Sequence, residues 1–243
     1  MFVVRIMGVI GMINILLIFF GGAMKNKIVV FDLIFYLALP YLIWKFGQEP
    51  LGDYYAILLS TAPGFVYTII RFAVERQFNV TGMFIMVSLF ISTLVDILSG
   101  DAFTMLQNSV YVSAGFGLFI LGTMLVKRPL ALYFGVDIAY LQGHKREDSL
   151  KLYRQKSILP AFYIITGIFA LRGLVAAGLK FYLIGVYGVQ GYDRILFFMK
   201  VNGWVFGALI AAGFIYSSLK INDHLEKLKD EIPTEDDPKD LVG

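Results

Sequence analysis

Thr104 to Val126 reads TMLQNSVYVSAGFGLFILGTMLV, 23 residues without a formal charge, set between Gly100-Asp101 and Lys127-Arg128-Pro129. A helix at the surface of a soluble domain carries a polar face along its length. A helix crossing a bilayer instead needs about 20 consecutive apolar residues. The stretch shows no period-two alternation and is too long for a barrel strand of about 10 residues. It predicts a transmembrane helix.

Working outward, the same reading applies to Phe2–Ala23, Ile28–Trp44, Tyr54–Val74, Val80–Leu98, Ile158–Leu179 and Ile195–Ser218, making seven expected spans. The early separators are short and carry turn chemistry: Lys25-Asn26-Lys27, Gln48 to Asp53, and Ser99-Gly100-Asp101. Kinks are expected at Pro40 and at Pro63-Gly64, because a bilayer offers no water to replace a missing backbone donor. Leu130 to Gly143, interrupted by Gly135 and Asp137, reads as a short interfacial helix, running into a charged segment up to Ser157. The tail 220–243 begins as a charged helix and ends acidic and broken by proline. The fold class is therefore all-α, a polytopic membrane bundle of seven helices with one interfacial helix, followed by a cytoplasmic tail whose end is disordered.

Composition agrees. Apolar residues make up 58% and charged ones 16%, against roughly 45–50% and about 25% in soluble domains. The formal charge of +3 is too small to imply a nucleic-acid partner, and the absence of cysteine excludes disulfides and thiolate chemistry. Sorting the 21 Lys and Arg by side puts fifteen after odd-numbered crossings and three opposite, with Arg5, Arg172 and Lys200 inside spans. Positive residues stay in the cytoplasm, so the N-terminus is expected outside and the C-terminus inside. Cleavage of a signal peptide after Ala23 would reverse every later loop, so the first span is expected to remain.

No phosphate-binding loop, zinc-protease motif or nucleophile elbow occurs. The two histidines, His144 and His224, lie in separate charged segments, and neither metal nor cofactor is expected. The intramembrane charges are more informative, since each costs about 2.5–3.5 kcal/mol at the bilayer centre unless it pairs or lines a cavity. Arg5, Asp96, Arg172 and Lys200 all fall in the outer half, with Asn202 beside them, and Asp32 lies near the inner face. Together the outer four would make a positive pocket for a carboxylate, phosphate or lipid head group; separately, their stems would reach the head groups. A Schiff-base role for Lys200 is disfavoured by its position near the membrane edge. Ser113 with Gly117, and Gly203, Gly207 and Ala211, mark faces for close helix contact. Trp44, Tyr54, Tyr55, Tyr182, Tyr187 and Tyr192 suit an interfacial aromatic belt.

Phe31-Asp32-Leu33, Leu39-Pro40-Tyr41, Ser60-Thr61-Ala62-Pro63, the Gly100-Asp101-Ala102-Phe103 turn and the close at Lys127-Arg128-Pro129-Leu130 resemble the bacterial intracellular septation protein A family and related inner-membrane proteins. Met199 to Trp204 is similar to a later portion of that family. The first span, segment 144–157 and the acidic tail depart from its pattern. The resemblance implies a multi-pass protein of the bacterial cytoplasmic (inner) membrane, without a catalytic centre and linked to division or envelope organisation.

The leading expectation is thus a non-enzymatic membrane protein that meets lipid and binds membrane-protein partners, or a second copy of itself, through segment 130–157 and its tail. The alternative is a transporter or binding protein for a small anion or lipid, using the outer polar pocket.

Overall fold

Helices form wherever long apolar runs must satisfy their own backbone groups, and their ends coincide with residues that cap or break them. The computed structural model describes residue 31, residues 34–75 and residues 79–230. The expected span 2–23, with Arg5, lies outside the described residues, as do Asp32 and the acidic tail end 231–243. A π-helical turn, Ile34–Ala38, leads into α1 (Leu39–Glu75). There follow α2 (Val80–Leu98), α3 (Ala102–Leu125), α4 (Leu130–Leu141), α5 (Arg146–Tyr153), α6 (Leu159–Tyr187) and α7 (Tyr192–Asp230). No strand occurs among the described residues.

Four of these helices are long and apolar enough to cross a membrane: α2, α3, α6, and α7 from Tyr192 to Lys227. They correspond to the last four expected spans, the last two of them longer than expected. The seventh, expected over Ile195–Ser218, lies within a helix from Tyr192 to Asp230. The sixth, expected to end at Leu179, continues as helix to Tyr187; Lys180 there is buried at 2% exposure and donates to Ser109 Oγ at 3.3 Å. A charge that finds a partner inside the bundle does not end a helix.

The second and third expected spans form the two legs of α1. Gly52, at φ 75° and ψ 163°, is its single non-helical residue, in a region of backbone space open essentially to glycine alone. The chain reverses there. Gln48 Nε2 donates to Asp53 Oδ1 at 2.9 Å across the turn, and Tyr36 meets Thr68 between the legs at 2.8 Å. Pro63 is carried without leaving helical geometry. Pro40 follows directly on the π-helical turn, where its missing N–H removes a bond that would tighten the helix.

α6 is the central helix, packed chiefly against α3 and then α7. The contact with α3 needs two glycines. A Cβ on Gly173 would stand 3.0 Å from Gly117 Cα, and one on Gly117 would stand 3.1 Å from the Ala170 carbonyl oxygen. Gly117 therefore packs within the bundle, as its small-residue stripe suggested. No described atom lies within 4 Å of where a Cβ on Gly203 or Gly207 would stand.

Two large apolar cores occupy opposite ends, and a smaller one gathers around Tyr36 and Leu89. One joins Trp44, Ile57, Met105, Leu183 and Tyr192; the other joins Phe134, Phe162, Ile165 and Phe214. Trp44 and Tyr192 were expected in a lipid-facing belt, but their rings meet edge to face at 4.9 Å inside the first core, 3% and 1% exposed. Tyr55 and Tyr182 do face outward.

α4 buries eight of its twelve residues against protein. Gly135 allows this, since a Cβ there would stand 2.6 Å from Phe162 Cε1. Asp137 secures it, accepting from Thr81 N at 2.8 Å and Thr81 Oγ1 at 2.9 Å. With Asn79 accepting from Gly82 N at 2.7 Å, the first amides of α2 are satisfied by two side chains.

Candidate functional site

The π-helical turn and the first leg of α1 face the start of α7. A cavity of about 450 Å³ lies there. Tyr36, Pro40 and Tyr41 supply one wall and Phe197, Lys200 and Trp204 the other, with Ser60 and Tyr192 also lining it. Tyr41, Phe197 and Trp204 are exposed on the flank of the bundle, so the cavity faces sideways as well as inward. Its end at Tyr192 is fixed by the ring contact with Trp44. Ser60, also in the lining, donates to the Ile57 carbonyl at 2.6 Å.

Lys200 distinguishes this cavity from an ordinary packing gap. It lies eight residues into α7, about 12 Å along the helix axis, and is 7% exposed. Its Nζ is buried and has no hydrogen-bond partner among the described residues. A lysine ammonium carries three donors and no acceptor, and a buried charge without a counter-charge is strongly unfavourable. Arg194 and Asp193 also line the cavity, so its charged groups are two cations and one carboxylate. Arg194 lies over the Tyr187 ring at 5.2 Å.

The expected outer cluster is only partly assembled. Lys200 lines the cavity; Asp96, Arg172 and Asn202 do not. Asp96 is buried on α2 at 3% exposure. Tyr54 ties the end of α2 to the hairpin by donating to the Ile97 carbonyl at 2.8 Å. Arg172 belongs to α6 beside the Gly173–Gly117 crossing. Asn202 is two residues from Lys200, hence about 200° around the helix, and is buried on another side of α7. Asp96, Arg172 and Lys180 each make interactions of their own within the bundle.

Sequence reasoning missed two polar anchors. Lys180 looked like a loop residue because the apolar run weakens near it; its spacing of eight from Arg172, about 80° apart around a helix and so within one broad stripe, was the available signal. Asp137 looked like an interruption in an interfacial helix, and nothing local marks it as the cap of a helix 56 residues earlier.

The histidines do not meet. His224 Nδ1 lies 3.3 Å from Ser157 Oγ, and no group of acidic or histidine side chains able to hold a metal occurs among the described residues. Compared with protein families, curated proteins and solved structures, the chain matches none.

Proposed function

We propose that this protein is a multi-pass membrane protein that binds an amphipathic anion, with a carboxylate or phosphate on Lys200 and an apolar portion along the aromatic walls of the cavity. The observation that carries this reading is the buried Lys200 Nζ with no partner among the described residues, at the edge of a 450 Å³ cavity. An anion supplies the missing counter-charge, and the exposed rim at Tyr41, Phe197 and Trp204 lets a membrane-dissolved molecule enter from the side. Such a protein carries or presents its ligand and needs no catalytic group.

In the arrangement we favour, the legs of α1 are the second and third of seven crossings, with the N-terminus outside. The bias of fifteen cations to three supports this orientation, and the likeness to septation proteins supports a bacterial inner membrane. A second reading, partner binding linked to envelope organisation, is favoured by α7, whose 39 residues would extend about 58 Å. Its last turns are therefore a charged rod beyond a hydrocarbon core about 30 Å thick.

The test is thermal unfolding of detergent-purified protein with dodecanoate, dodecanol or inorganic phosphate, in wild type, Lys200→Met and Arg172→Leu. Dodecanoate is expected to raise the midpoint of wild type and Arg172→Leu but not of Lys200→Met, with dodecanol giving little. An equal shift in Lys200→Met, or none in wild type, overturns the assignment of an anionic amphiphile to this cavity.

A further inference from the structure

A second concavity lies outside the Lys200 cavity, on the flank where α2 and α3 run side by side. It measures about 830 Å³. Its walls are Met83, Val87 and Ile91 of α2 and Val112, Gly115 and Phe119 of α3. From Val80 to Ile91 it extends about 16 Å along the helix axis. Gly115 keeps it open, since no described atom lies within 4 Å of where its Cβ would stand. Phe84, also in its lining, is held by Phe116, Phe119 and Phe134, with ring centroids at 6.0, 6.4 and 5.8 Å.

One end of this apolar groove is polar, formed by Asn79 and Arg146. The Arg146 guanidinium lies 4.4 Å from the Tyr140 ring centroid and 3.6 Å from Asp137 Oδ1, with 44% of its side chain exposed. The Asp137 contact is an ion pair longer than a hydrogen bond, and the other carboxylate oxygen is occupied by Thr81. The half-exposed guanidinium keeps donors for a second acceptor, and its fork matches a phosphate in geometry and charge. Lys127, Arg128 and Lys145, all exposed, belong to the chain segments at this same end, as do Glu147 and Asp148, so cations outnumber acids there.

We infer that the α2–α3 groove is a phospholipid site, in which an acyl chain lies along Met83, Val87, Gly115 and Phe119 and the lipid phosphate is held by Arg146. Charge complementarity at one end and a purely apolar channel leading away from it select a lipid over a free phosphate or an uncharged hydrocarbon. The site shares no lining residue with the Lys200 cavity and stands or falls without it.

The experiment is quantitation of phospholipid retained by the full chain after detergent purification and size exclusion, with re-addition of phosphatidylglycerol in mixed micelles. Wild type is expected to retain phospholipid at a fixed ratio. Arg146→Gln and Gly115→Leu, one removing the phosphate donor and the other filling the groove, each lose at least tenfold of it. Arg146→Lys recovers part. Helical circular dichroism and elution volume must remain those of wild type in any variant scored; if Arg146→Gln misfolds, Gly115→Leu alone decides. Undiminished lipid in the folded variants overturns the proposal. So does displacement of the lipid by inorganic phosphate, which would make Arg146 a site for a free anion only.

Discussion

Tyr36 and Thr68 share a hydrogen bond of 2.8 Å although 32 residues separate them, and Gly52 lies midway between the two in sequence. The bond records the reversal of the chain inside what would otherwise be one helix. Because φ 75° and ψ 163° at Gly52 suit no other residue, Gly52→Ala is expected to destabilise the protein by about 1–3 kcal/mol. Tyr36→Phe, which removes only the bond, costs about 1 kcal/mol. Chemical denaturation in a fixed detergent separates the two effects, and equal losses would contradict a turn held by backbone geometry.

Lys200 gives the opposite sign. Removing an uncompensated charge stabilises, so ligand-free Lys200→Met is expected to unfold later than wild type, by up to about 2.5–3.5 kcal/mol on membrane-insertion scales. Earlier unfolding would mean that the ammonium already has a counter-charge within the chain.

Asp137 holds α4 to the start of α2. Asp137→Ala removes an acceptor shared by the Thr81 amide and hydroxyl and is expected to cost about 1.5–3 kcal/mol, the range for hydrogen bonds to a charged group. Asp137→Asn retains an acceptor and loses less. Hydrogen exchange at the first turn of α2 should accelerate in the alanine variant, while α3 is unaffected.

Overpacking should expose the two glycine contacts. Gly135→Ala drives a methyl group to within 2.6 Å of the buried Phe162 ring, and Gly173→Ala drives one to 3.0 Å from Gly117 Cα. Each is expected to cost about 1–3 kcal/mol. Gly122→Ala, where no described atom of another element lies within 4 Å, serves as the control in the same unfolding assay, expected to be stabilised by about 0.5–1 kcal/mol through helix propensity.

Asp101 supplies a pH signature. Its carboxylate caps α3, and hydrogen bonds from the Thr104 side chain and amide hold its pKa below the ordinary 3.8. Because the folded pKa is depressed, the stabilisation is complete above the ordinary value and is lost as pH falls through the lower folded one. The stability difference between wild type and Asp101→Ala is therefore expected to shrink in acid. Asp101→Asn keeps a capping oxygen and should lack that dependence.

What the sequence by itself determined is the helical class, the positions of α2, α3, α6 and α7, and the turns between early elements. These follow from apolar run length and from separators with turn chemistry, such as Gly52-Asp53 at the hairpin and Gly100-Asp101 before α3. The lysine of the candidate site was also legible, because a charge in an apolar run stands out wherever it points. Its surroundings were not. Arg172 and Lys200 look equivalent in sequence, yet one sits beside a helix crossing and the other lines a cavity. The same limit hid the burial of Lys180 and the capping role of Asp137. In a soluble helix the polar face tells which side is inward, but lipid and a protein core are both apolar, so a membrane helix carries little record of its own orientation. Only the tertiary structure decides which faces meet. It does so through contacts such as Gly117 against Gly173, where two backbones approach closely enough to set the rotation of every side chain around them.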